Sequence, residues 1–171
     1  MKALQKLVIG AGLLSALASG AQAQTSATAT AAGTASVLDP ITASKNTDLS
    51  FGTIVKPLSG TATVSVSAAG ARTVTGTAAA NGTGVSNASF SVIGIGGSAY
   101  SIAVPSTFSM TSGTNSLVVS TIDGSGGGGT LSGVNTSAST VSFGVGGAFN
   151  LSTATASGAY TGNFTVTASY N

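Results

Sequence analysis

From residue 27 onward, apolar positions recur at every second residue. That is the period of a half-buried strand rather than of a helix. Ala is frequent, but it is interleaved with Thr, Ser, Val and Gly, so no helical stripe forms. The first predicted strand covers residues 27–37, with Ala27, Ala29, Ala31, Gly33, Ala35 and Val37 on one face. Asp39-Pro40 then turns the chain. Further strands are predicted at 49–55, 62–66, 73–78, 90–95, 100–104, 117–122 and 141–151. Gly124-Ser125-Gly126-Gly127-Gly128-Gly129 reads as a flexible hairpin loop. It lacks the following Lys-Ser/Thr and the βαβ context of a phosphate cradle. The last predicted strand is the longest: Gly158, Tyr160, Gly162, Phe164, Val166, Ala168 and Tyr170 share a face, and polar residues occupy most of the other.

Many short alternating strands separated by turn residues predict an all-β fold, an antiparallel Ig-like β-sandwich. Thr and Ser suit the outer face, where hydroxyls meet water and Thr keeps its β-branch. The Thr-x-Thr pairs recur at irregular spacings, which a β-solenoid would not allow.

The N-terminus changes the picture of where this fold works. Lys2 and Lys6 precede an apolar run from Leu7, and Ala21-Gln22-Ala23 supplies a small-x-small cleavage site. This predicts a signal peptide over residues 1–23, followed by residues 24–37 as an N-terminal extension or first strand and 38–171 as the sandwich domain. The expected location is the periplasm, cell surface or extracellular space. No integral membrane span is expected in the mature chain.

Removal of Lys2 and Lys6 leaves Lys45, Lys56 and Arg72 against Asp39, Asp48 and Asp123. The mature chain is then formally neutral, and no basic patch is left to grip nucleic acid. A surface so poor in charge favours association. The sequence has no Cys and no His, which excludes thiol nucleophiles, His-dependent triads and the usual zinc sites. The three Asp lie in turn chemistry beside Pro, Thr and Gly. We therefore expect no catalytic residue, no cofactor and no metal.

Both predicted terminal strands are uncharged, although exposed edges normally carry Lys or Pro against unwanted pairing. An alternating segment of small residues suits strand addition to a partner's sheet. Residues 27–37, through Ala27, Ala29, Ala31, Gly33, Ala35 and Val37, are the candidate donor strand. The segment carrying Gly158, Tyr160, Gly162, Phe164, Val166, Ala168 and Tyr170 is the candidate acceptor.

Two resemblances follow. The residues Phe51-Gly52, Phe90, Tyr100 to Pro105, Gly146-Gly147 and the closing Gly158-Ala159-Tyr160-Thr161-Gly162-Asn163-Phe164-Thr165-Val166 with Tyr170-Asn171 resemble a family of Gly/Ser/Thr-rich exported proteins of unknown function from Gram-negative bacteria. The alternating C-terminus, with Tyr170 penultimate and Gly158 fourteenth from the end, is also similar to chaperone–usher pilin subunits. That second resemblance implies a pilin-like sandwich lacking one strand. Its groove would be filled by a periplasmic chaperone and then by the extension of the next subunit, with an outer-membrane usher as further partner. Unlike many pilins, the chain has no Cys.

Two functions compete on these grounds. One is an exported structural subunit of a pilus or thin surface fibre, a homo-oligomer assembled by strand donation. The other is a self-contained secreted sandwich that binds carbohydrate or a surface, with Tyr100 and Tyr160 as its candidate aromatic platforms.

Overall fold

The structure, a computed structural model, describes residues 26–135 and 137–171; the expected signal peptide lies outside them. Among the described residues there are twelve strands and no helix. They are β1 (Thr42–Thr47), β2 (Ser50–Val55), β3 (Thr61–Val66), β4 (Arg72–Gly76), β5 (Ala79–Ser86) and β6 (Ala88–Ile95). β7 (Ala99–Ala103), β8 (Thr107–Ser112), β9 (Asn115–Asp123), β10 (Gly128–Thr130), β11 (Ala138–Ser152) and β12 (Thr167–Tyr170) follow. Every strand pairing is antiparallel.

The organising element is β11. Its first half pairs with β6 from Ala138 to Val145, and its second half pairs with β3 from Gly147 to Ser152. Val145 also pairs with Asp123 of β9, and Gly147 with Thr121. A strand has two edges, so β6 and β3 succeed one another along one of them while β9 takes the other. This crowding requires Gly146 and Gly147. A Cβ on Gly146 would collide with the Val66 carbonyl, and one on Gly147 would stand 2.7 Å from Val119 Cγ1. The resulting sheet carries β1 and β4 at its ends, with β8 hanging from β9. A smaller sheet, β10-β7-β12, and the pair β2-β5 complete the fold.

The alternation of the sequence becomes two apolar clusters. Ala88, Val92, Phe143 and Val145 of β6 and β11 meet Tyr100 and Ile102 of β7 and Leu131, with the apolar side of β12 against them. Val64 and Val66 of β3 meet Phe51, Val119, Phe149 and Leu151 in the second. In β3 the reason is plain: Ala62, Val64 and Val66 are buried, while Thr61 and Thr63 face out. Antiparallel sheets packed through such faces are a β-sandwich.

Four sequence expectations need correction. Residues 26–40 form no strand, and the first strand is β1, whose six residues are all exposed. Thr-Ala-Ser-Lys-Asn-Thr has no apolar face to betray it, and its order comes from backbone pairing with β6. β5 hides for a similar reason. It contains Gly82 and Gly84 at φ +75° and +85°, residues that read as a loop. β8, with Phe108 and Met110 alternating, also went unread. Lastly, the Gly-rich run is only partly a loop, since Gly128 and Gly129 pair with Ser101 and Tyr100. A Cβ on Gly128 would strike the Tyr100 carbonyl, so the strand accepts only Gly there.

Candidate functional site

The C-terminal segment does not form one continuous strand. Thr161 makes an isolated bridge to Thr111 of β8, and only Thr167–Tyr170 pairs as β12, with Tyr100 to Ala103 of β7. Between them, residues 162–166 make no backbone hydrogen bond among the described residues. The alternation persists even so. Tyr160, Phe164, Val166, Ala168 and Tyr170 are half-buried, every odd residue from Thr161 to Ser169 is exposed, and Gly158 and Gly162 are exposed as well.

Thr161 exchanges both its backbone bonds with Thr111. In an antiparallel pair the flanking residues then direct their N–H and C=O the other way. Residues 160 and 162, which flank Thr161, therefore present free backbone groups away from β8. The Gly162 backbone lies so close to Ser109 and Met110 that a Cβ there would clash with the Ser109 carbonyl.

Alongside this edge the sandwich is open. Two cavities of about 580 and 570 Å³ share Leu49, Met110 and Tyr160 in their linings, and form one groove. One wall is built by β1 and β2, between Lys45 and Lys56; the other is residues 155–164. Phe90, Phe108, Met110, Leu117 and Leu151 supply the apolar floor. At one end the Lys56 ammonium donates to the carbonyls of Thr153 (3.2 Å) and Thr155 (3.1 Å), tying the walls together. Near the other end stands the exposed Lys45–Asp48 pair at 2.6 Å.

The groove floor is also the seam between the two cores. Phe164 stands 6.0 Å from Phe90 and 5.0 Å from Phe108, ring to ring, and Leu49 packs against both clusters.

The structure thus brings four of the seven candidate acceptor residues, Gly158, Tyr160, Gly162 and Phe164, to the groove. Val166, Ala168 and Tyr170 lie instead against the first core. Ala27, Ala29, Ala31, Gly33 and Ala35 are exposed and in no strand, and Val37 is 93% exposed. Of the two candidate aromatic platforms, Tyr100 is a core residue at 6% exposure, which removes it from any ligand surface. Tyr160 is half-buried, with its hydroxyl donating to the Ala156 carbonyl at 2.9 Å. Sequence reasoning missed the facing wall. Leu49 and Phe51 read as ordinary strand residues, and nothing local tells that this segment borders an opening.

Among the described residues no group of three or more His, Cys, Asp or Glu is gathered, and no helix is long and apolar enough to cross a membrane. Asp123 closes a turn, its carboxylate accepting the Ser125 N–H at 2.7 Å.

Fold and groove together define an antiparallel β-sandwich with an open cleft, floored by apolar side chains and walled by polar ones, beside an unpaired stretch of backbone. The chain belongs to the family described as a domain of unknown function (DUF4402), whose model matches residues 41–170. No curated protein and no solved structure matches it.

Proposed function

We propose that this protein is an exported, non-catalytic structural subunit of a pilus or thin surface fibre, in which a strand from a neighbouring copy fills the groove. The observation that carries this reading is the groove itself, an open cleft with an apolar floor, flanked by backbone N–H and C=O groups that have no protein partner among the described residues. Such edges are costly to leave open, and an added strand supplies both the hydrogen bonds and the apolar cover.

The donor is residues 27–37. The donor is eleven residues, which extended would reach roughly 36 Å at ~3.3 Å per residue. The size of the donor side chains fits. The floor is already filled by Phe, Met and Leu, so the occupant needs small residues to let its backbone approach, and Ala29, Ala31 and Gly33 provide them. Before assembly the same opening would be held by a periplasmic chaperone, with delivery through an outer-membrane usher.

The test compares oligomeric state by electrophoresis without boiling. Wild type, a deletion of residues 24–32 and Gly33→Leu are run side by side. A Cβ at Gly33 meets nothing within 4 Å, so the substitution leaves the monomer intact while blocking insertion. Wild type is expected as a ladder and both variants as monomers. Three identical compact monomers would reject strand donation in favour of a self-contained binding module.

A further inference from the structure

We infer that the Tyr170 hydroxyl is the latch that fixes where the N-terminal arm leaves the domain, so that each subunit presents its donor strand from a set point. The importance of that point depends on the strand-donation reading; the latch is visible without it.

Residues 37–40 are exposed and, among the described residues, make a single hydrogen bond. It runs from Tyr170 Oη to the Asp39 carbonyl, at 3.2 Å across 131 residues of sequence. The same oxygen accepts the Ile95 N–H at 2.8 Å. One hydroxyl therefore joins the end of β6, the end of β12 and the root of the arm, using its one proton and a lone pair.

The surroundings hold it in place. Gly94 leaves the room, because a Cβ there would stand 2.6 Å from Tyr170 Oη and 2.8 Å from Leu131 Cδ1. The ring packs against the first core. On the arm side, Pro40 fixes its own φ and restricts Asp39 to extended conformations, so the Asp39 carbonyl has little freedom to turn away. Ile41, the next residue, is half-buried against the first core. The latch is thus the outermost fixed contact of the domain's first residues. A loose root would add residues whose conformational freedom must be lost on insertion, and would blur the register at which the donor meets its groove. Tyr170 acts here through the Asp39 backbone, as a positioning residue.

The test is amide hydrogen exchange on the full mature chain, with Tyr170→Phe removing the oxygen alone. Exchange in residues 42–44, the start of β1, and at Ile95 should quicken about fivefold, the factor that corresponds to one neutral hydrogen bond, while β11 remains as protected as in wild type. Ser169→Ala is the control: it removes the neighbouring bond to Ser101, 2.9 Å long, and should leave residues 42–44 unchanged. The Phe variant should also assemble several-fold more slowly, yet take up a synthetic peptide of residues 27–37 as wild type does. Unchanged exchange in residues 42–44 of Tyr170→Phe, or an equal rise in Ser169→Ala, would overturn the latch. Faster exchange there, in a protein whose wild type neither assembles nor takes up the peptide, would keep the latch and overturn the donation reading.

Discussion

Arg72 is the residue whose removal should be felt most widely. Its guanidinium donates to the Phe51 carbonyl at 2.9 Å and to the Gly82 carbonyl at 3.2 Å, holding β2 and β5 against the end of β4. Gly52, at φ +68°, makes the approach possible, since a Cβ there would stand 2.7 Å from the guanidinium. Arg72→Ala should cost about 1.5–3 kcal/mol in urea unfolding, the range for bonds from a charged group. Lys should recover only part of it, because a single ammonium lacks the fork that reaches two carbonyls. The acidic residues should behave otherwise. Asp48 pairs with Lys45 where both are exposed, and Asp123 caps a turn. Changing Asp39, Asp48 or Asp123 to Asn should each cost at most about 1 kcal/mol. A folded Asn variant that lost a measurable activity would reveal a site in the turns.

Among the elements, β11 decides the architecture, and Gly147 is the point at which it presses on side chains of the second core. Gly147→Val would push into Val119 and Phe51. Overpacking of this kind typically costs about 1–3 kcal/mol, so the variant's thermal midpoint should fall well below that of wild type while its circular dichroism stays all-β. Leu151→Ala, in the same strand, should cost about 2–5 kcal/mol by opening a cavity.

The legibility of these elements from sequence follows from what orders them. β3, β6, β7, β9 and β11 carry alternating apolar residues that enter the cores, and that alternation is visible in the chain itself. β1, β5 and β10 owe their order to ladder bonds with a neighbour, which leave no apolar trace in Thr-Ala-Ser-Lys-Asn-Thr or in a Gly-rich run. The candidate site divides in the same way. The half-buried face of Tyr160 and Phe164 could be read from period two. The opposite wall could not, because nothing in the local sequence marks Leu49 and Phe51 as lining an opening.

At the scale of the molecule, filling the groove should stabilise the domain by mass action. A chain lacking residues 24–32, given the synthetic peptide of residues 27–37 at a hundredfold excess over its dissociation constant, should gain about 2.7 kcal/mol. A scrambled peptide carrying one Leu in place of Gly33 is the control, and should give no shift.

The position of Leu49 has a further consequence, for cooperativity. The two cores touch along a seam of Leu49, Phe90, Phe164 and Phe108, and that seam is the floor left bare by the open groove. With the floor open, the cores support each other chiefly through β11, which runs from one into the other. A calorimeter should then record more enthalpy than the sharpness of the transition implies, the sign of more than one melting unit. A strand laid across Leu49 roofs both cores at once, and the calorimetric and van't Hoff enthalpies should converge. The occupant would then do more than add free energy: it would turn two cores joined chiefly through β11 into a single unit that melts all at once.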